Sequence, residues 1–151
     1  MNYWLLKSEP AVFSWADLTR RPAQTSPWDG VRNYQARNFL RQMQLHDQVF
    51  FYHSSCATPA IIGLGQIVRT AYPDPTAFDP THPYHDPKSQ PNQPRWFCVD
   101  VQAMHPLSVP VTLSQLRTLP ALADLALLKR GNRLSVLPVT PTQWAQITQL
   151  P

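Results

Sequence analysis

The sequence predicts an α+β fold, with a mixed sheet or small β-barrel carrying short helices at its periphery. Three observations predict it. Aromatic and β-branched runs suited to buried strands recur at residues 49–54, 60–68 and 95–104. The helical segments between them are short, and they lack the regular strand–helix alternation of a doubly wound sheet. A chain of 151 residues also has room for a single domain spanning 1–151, with no space for a second core.

The elements follow in chain order. YWLLK, residues 3–7, is aromatic and β-prone and is closed by Pro10, which gives a first strand. Ser14 is placed to cap a short helix through Trp15, Ala16, Asp17 and Leu18, with the acidic residue in the first turn. Residues 21–30 hold two prolines and end in Asp-Gly, a loop by its turn chemistry. From about Asn33 to Gln44, Ala36, Phe39, Leu40 and Met43 fall at the i, i+3, i+4, i+7 spacing of one apolar stripe. Tyr34, Arg37, Asn38 and Arg41 then share the outward face.

QVFFYHS, residues 48–54, is the near-continuous apolar run of a strand covered on both sides. AIIGLGQIV, residues 60–68, can pair with it, and Gly63 and Gly65 on one of its faces point to close backbone approach or tight curvature. Residues 72–94 carry seven prolines and no periodic pattern; this is a long loop, of the kind that in compact domains usually serves function. RWFCVDVQAM, residues 95–104, alternates as a further strand. Thr112 is set to cap a short helix in VTLSQL, and Thr140 with Pro141 starts a last one in TPTQWAQITQL.

Composition narrows the function classes. Hydrophobic residues make up 43% of the chain, aromatics 11% and charged residues 15%, the mixture of a folded globule. No run of 18 apolar residues occurs, and MNYWLLKSEP lacks the architecture of a signal peptide, so a cytoplasmic protein with no membrane partner is expected. Cys56 and Cys98 show no C-x-x-C spacing and read as reduced thiols. The net charge of +4 and pI near 9.4 are compatible with a polyanion.

Enzyme templates find little support. His53 stands beside Ser54 and close to Cys56, which could make a base and a nucleophile, but neighbours on a strand point to opposite faces. His82 and His85 have a His-x-x-His spacing that would need further metal ligands from elsewhere. The glycine-rich phosphate and dinucleotide motifs and the nucleophile elbow are absent, and no cofactor is implied.

A binding template fits better. Unstacked bases are held by aromatic faces, by amides on their edges and by Arg or Lys on the flanking phosphates. The segment WDGVRNYQARN, residues 28–38, gathers all three types: Trp28 to stack, Asn33 and Asn38 to read an edge, and Arg32, Arg37 and Arg41 to neutralise phosphates. The bland alternatives are a Trp28 that lids the core and a solvated basic helix face. KRGNRLS, residues 129–135, repeats basic residues around a Gly-Asn turn, or else is a charged hairpin tip. His53 and Ser54 could form a polar pocket floor, unless His53 is a satisfied core histidine.

With these residues in view, the chain resembles the EVE domain family along its whole length. The likeness is carried by WLLKSEP (4–10), WDGVRNYQARN (28–38), VFFYHS (49–54), AYPDPTAFDP (71–80), DPKS (86–89), PRWFCVDV (94–101) and RGNRLSVLPVTPTQW (130–144). The resemblance implies a PUA-like fold, a small mixed β-barrel with peripheral helices, and a non-catalytic module that binds nucleic acid carrying a modified base, with modified cytosine in DNA as a candidate. By that likeness the pocket would draw on Lys7, Ser8 and Glu9, on Trp28, Asn33 and Tyr34, on His53 and Ser54, and on Arg133, Leu134 and Ser135. Met1 stands three residues before Trp4, leaving no room for the basic N-terminal extension of longer eukaryotic members, and the expectation is a bacterial stand-alone domain.

Two readings stay open: a reader that takes in an extruded or single-stranded modified base, and an enzyme on modified nucleotides using His53 with Ser54 or Cys56. Stacking and phosphate contacts suit DNA and RNA alike.

Overall fold

The computed structural model describes residues 1–150 and contains one six-stranded sheet and four α-helices. The strands are β1 (Tyr3–Ser8), β2 (Thr25–Pro27), β3 (Gln48–His53), β4 (Ala60–Pro73), β5 (Phe97–Thr112) and β6 (Val136–Val139). The helices are α1 (Trp15–Thr19), α2 (Tyr34–Gln42), α3 (Leu113–Arg117) and α4 (Pro141–Thr148). Strand order is β2-β5-β4-β3-β1-β6, with β1 parallel to β3 and the other pairs antiparallel. The α+β architecture and the mixed sheet are those expected. The expected closure into a barrel does not occur, because β2 and β6 remain the two edges.

The sheet is covered on both faces, as the unbroken apolar runs require. Trp4 and Leu6 of β1 and Val49 and Phe51 of β3 point to one core, under Trp15 and Leu18 of α1 and Ala36 and Leu40 of α2. The intervening Leu5, Phe50 and Tyr52 point to the other, under Leu116 of α3 and Trp144 and Ile147 of α4. Period-two alternation therefore splits each strand between two cores. Shifts of register along the long β4–β5 ladder bend the sheet. Gly63 and Gly65 allow that packing: a Cβ at Gly63 would lie 2.6 Å from the Trp15 ring, and one at Gly65 would lie 2.8 Å from the Gln102 carbonyl oxygen.

Helix starts follow the cap chemistry. Ser14, Asn33, Thr112 and Thr140 each accept a backbone N–H at the third helical position. Two strands were not expected: β2 lies in the segment read as loop, and β6 follows the basic turn. Both are short edge strands that contain a proline (Pro27 and Pro138), which hides them from any pattern of alternation.

Candidate functional site

An open cavity of about 530 Å³ lies where the end of β1, the end of β2 and the proline-rich segment meet. Lys7, Ser8 and Glu9 come from the first strand and the turn after it. Trp28, Asp29, Gly30 and Arg32 come from the segment leading into α2, Ser135 from the approach to β6, and His82 and Tyr84 from the proline-rich segment. The turn after β1 is closed by Ser8, whose hydroxyl donates to the Phe13 carbonyl at 2.5 Å, while the Glu9 carbonyl accepts from the backbone of Val12 and Phe13. This brings Val12 and half-buried Phe13 onto the apolar wall.

Trp28 is both core and wall. Its indole is 7% exposed and packs edge-on against Phe51, with ring centres 5.5 Å apart, and against Phe13 at 6.3 Å. Only a margin of the ring reaches the cavity, so the lid-over-core alternative describes most of its surface. Arg21 lies over the Phe13 ring at 5.3 Å and brings a cation to the rim. Glu9 and Asp29 bring carboxylates and buried Ser26 a hydroxyl, which donates to the Pro27 carbonyl. Asp29 reaches solvent, but protein crowds the inner side of its carboxyl; this desolvation, reinforced by the charge of Asp74, raises its pKa. Burial lowers the pKa of Lys7.

Arg32 was expected on a phosphate, and its guanidinium is used elsewhere. Nε donates to the Tyr84 carbonyl (3.1 Å), Nη1 to the Val31 carbonyl and to Asp74 (both 3.0 Å), and Nη2 to Thr76 Oγ1 (3.1 Å) and the Tyr84 carbonyl (2.7 Å). A guanidinium has five N–H donors, and these five contacts occupy them. Asp74 is fully buried and also accepts from the Gly30 and Thr76 amides and the Thr76 hydroxyl. These hydrogen bonds outweigh desolvation and hold its pKa below the usual carboxylate value. Gly30 has φ +78° and packs so closely under Tyr84 that a Cβ would lie 2.4 Å from the ring. The clamp thus fixes the proline-rich segment as the cavity's outer wall.

The outward face of α2 holds that same segment. Tyr34 stacks on Trp96 with ring centres 4.9 Å apart, Arg37 lies over Tyr34 at 4.8 Å, and Arg32 lies over Trp96 at 5.5 Å. Arg37 donates to Asn38 Oδ1 and to the Arg95 carbonyl, and Arg41 lies over Phe97. The flat surface this basic, aromatic face grips is therefore the protein's own Trp96, whose indole N–H donates to Asp86 at 2.6 Å. Asn33 was expected to read a base edge; its Oδ1 accepts the Ala36 amide as the α2 cap. Asn33, Tyr34, Arg37 and Asn38 lie outside the cavity lining.

His53 is also outside it, although Phe51 touches both His53 and Trp28. Its Nε2 accepts the Trp15 amide at 3.1 Å and burial lowers its pKa, so the half-buried ring is a neutral acceptor. The Cys56 thiol donates to the His53 carbonyl oxygen over 3.9 Å, so its contact is with the backbone and not with the imidazole. Leu134 packs against both cores, Arg133 is exposed, and Ser54 lines a second hollow described below. Among the described residues, no three His, Cys, Asp or Glu side chains converge as a metal ion would need, and no helix is long and apolar enough to cross a membrane.

Of the expected residues, the fold brings Lys7, Ser8, Glu9, Trp28, Arg32 and Ser135 to one cavity. Sequence reasoning missed Phe13, Arg21, Ser26, Asp29, His82 and Tyr84 there. The Asp-Gly of WDGVRN was read only as a turn, and the other five lie in segments with no period to read.

Comparison with known proteins gives one family. A profile described as EVE domain matches residues 2–150. Mouse thymocyte nuclear protein 1 is 45% identical over 99% of the chain and 73% of its own length, and the human protein of that name is 42% identical over the same shares. Among solved structures, a Pseudomonas syringae protein is 51% identical with a TM-score of 0.91, covering 97% of each chain. Human THYN1 in complex with DNA containing 5-methylcytosine is 41% identical with a TM-score of 0.92, covering 97% of this chain and 95% of that one.

Proposed function

The chain belongs to the EVE domain family, and from that premise we propose that it binds DNA and reads a modified base, with 5-methylcytosine as the candidate, by taking that base into the cavity beside Trp28. The observation that carries this reading is the cavity's make-up: about 530 Å³, with an apolar wall of Val12, Phe13 and Trp28, carboxylates of Glu9 and Asp29, and cations of Lys7 and Arg21 at the rim. That volume falls within the roughly 300–1,000 Å³ of small-molecule sites. The complex of human THYN1 with 5-methylcytosine DNA supports the choice of ligand.

The chemistry suits cytosine. Its exocyclic amino group is a donor that a carboxylate accepts, and a C5-methyl group is held by apolar contact. In this reading Asp29 takes the first role and Phe13 with Val12 the second, with Ser8, Ser135 and Lys7 among the cavity's polar lining. A base paired in a duplex cannot enter such a cavity, so the reading includes extrusion, which costs a few kcal/mol and is least costly for an unpaired base. The module acts by binding and not by turnover: the proposed base, His53, has its ring nitrogen engaged by the Trp15 amide. Its setting is a bacterial cell, a reading supported by the Pseudomonas structures at 50% and 51% identity.

The test is a titration of matched oligonucleotides with and without 5-methylcytosine, single- and double-stranded, against wild type and Asp29→Asn. Tighter binding of the methylated strand by wild type, with affinity for methylated and unmethylated strands alike reduced in Asp29→Asn, is the expected result. Equal, weak binding of all four oligonucleotides by wild type would end this reading.

A further inference from the structure

A second hollow, of about 410 Å³, opens on the far side of Lys7, bounded by the end of β3, the start of α3 and the basic turn at 129–132. Lys7 lines both hollows. Their chemistry differs. The first mixes Glu9 and Asp29 with cations, whereas the second is lined by Lys7, Arg117, Lys129 and Arg130 with the hydroxyl residues Tyr52, Ser54 and Ser55, and no carboxylate.

Among the described residues the four cations have no carboxylate within ion-pair distance. Among the described residues the ion pairs are Arg20–Asp17 and Arg32–Asp74, and no side-chain hydrogen bond engages the charged ends of Lys7, Arg117, Lys129 or Arg130. The turn that presents two of them is built. Asn132 donates from Nδ2 to the Ala126 carbonyl (2.9 Å) and accepts the Leu134 amide at Oδ1 (2.9 Å), and Gly131 makes the bend with φ +79°. On the other side, the Ser54 amide donates to the Ser8 carbonyl and the Lys7 amide to the Ser135 carbonyl, which ties the β3 end and the basic turn to β1. A partly enclosed hollow lined by uncompensated like charges concentrates positive potential, and an anion relieves it.

We propose that this second hollow holds a backbone phosphate of the bound nucleic acid, so that the strand passes over Lys7 from the base cavity to Arg117, Lys129 and Arg130. The proposal rests on the base-reading function of the first cavity. It gives the complex a direction: the phosphate held is the one flanking the extruded nucleotide on the Lys7 side. Contacts of this kind position the strand and carry no sequence information.

The experiment compares wild type with a Lys129→Ala/Arg130→Ala double variant, whose exposed side chains make no hydrogen bond or ion pair among the described residues. Both are titrated with a 5-methylcytosine oligonucleotide across a sodium chloride series, and with free 5-methyl-2′-deoxycytidine, which has no phosphate. The double variant is expected to bind the oligonucleotide more weakly at low salt, with a log–log salt slope shallower by about 0.7–0.9, the worth of one phosphate contact. Its affinity for the free nucleoside should match wild type. An unchanged slope and oligonucleotide affinity, with nucleoside binding intact, would overturn the phosphate site while leaving the base cavity standing. Loss of nucleoside binding in the double variant would overturn the division of labour between the two hollows. If wild type bound the oligonucleotide with the expected slope but no nucleoside, the base-reading function would fall, and the strand path with it.

Discussion

Arg32 and Arg130 are both arginines beside a glycine-containing turn, and each flanks one of the two hollows. Arg32 has every N–H directed to an acceptor of its own chain and closes over a fully buried aspartate. Arg130 is exposed, has no carboxylate within ion-pair distance among the described residues, and stands in a lining without acids. The difference teaches that a basic cluster in a sequence says little about its partner until each donor has been accounted for. The same division separates the face of α2, which holds the proline-rich segment through Tyr34, Trp96 and Arg37, from the rim of the cavities, where the free groups are.

The sharpest way to break that contrast is to remove Arg32. Arg32→Met leaves Asp74 buried without its cation, and breaking such a pair costs about 3–5 kcal/mol; urea unfolding should show a loss of that size. Arg32→Lys restores charge without the five-donor fork and should recover only part of it. Arg130→Ala should move stability by less than about 0.5 kcal/mol, as for surface positions free of contacts.

Asp29→Asn comes next and acts on binding. Loss of a carboxylate acceptor for the cytosine amino group should reduce discrimination by about 1–3 kcal/mol, measured as the affinity ratio between cytosine and other bases at the extruded position. pH gives the same test without mutation. Asp29 accepts as a carboxylate and its pKa is raised, so affinity should weaken as pH falls through a range above the usual carboxylate value near 3.9, and Asp29→Asn should flatten that limb. Its effect on stability has the opposite sign: a raised folded-state pKa favours the protonated form, so this contribution is present in acid and lost as pH rises through that pKa.

Gly30→Ala forces a side chain onto φ +78° and into the Tyr84 ring. The backbone cost is about 1–2 kcal/mol, with a further loss of oligonucleotide affinity as the wall shifts. The smallest effect belongs to Tyr34→Ala, which removes a stack on Trp96 worth about 0.5–1.5 kcal/mol and should leave oligonucleotide affinity within about twofold, since a residue outside both hollows makes no base contact to lose.

Much of this fold was legible. The strands β1, β3, β4 and β5 announce themselves through apolar runs, Ser14, Thr112 and Thr140 mark their helices by cap chemistry, and α2 is marked by its apolar stripe. β2 and β6 were not, because three- and four-residue edge strands containing a proline carry no period. The cavity's lining was legible at Trp28 from its residue type, and at Lys7 to Glu9 only through the family resemblance. It was misassigned where the same residue types serve the protein itself: an arginine suited to phosphate is equally suited to a buried carboxylate, and a tyrosine suited to a base is equally suited to a tryptophan 62 positions further along the chain, as in the Tyr34–Trp96 stack. Asp29, His82 and Tyr84 meet where the Arg32–Asp74 clamp ties the proline-rich segment to residues 30–32, Arg21 joins them by lying over Phe13, and no local pattern encodes either meeting.

The measurement that bears most directly on the base cavity is a titration of isotopically labelled protein with 5-methyl-2′-deoxycytidine, followed by backbone amide NMR. The expected shifts begin at Ser26, Asp29 and Gly30 and spare Gly131 and the Tyr34 face. Shifts confined to Tyr34, Arg37 and Trp96, with Ser26 and Gly30 unmoved, would contradict the base-cavity reading.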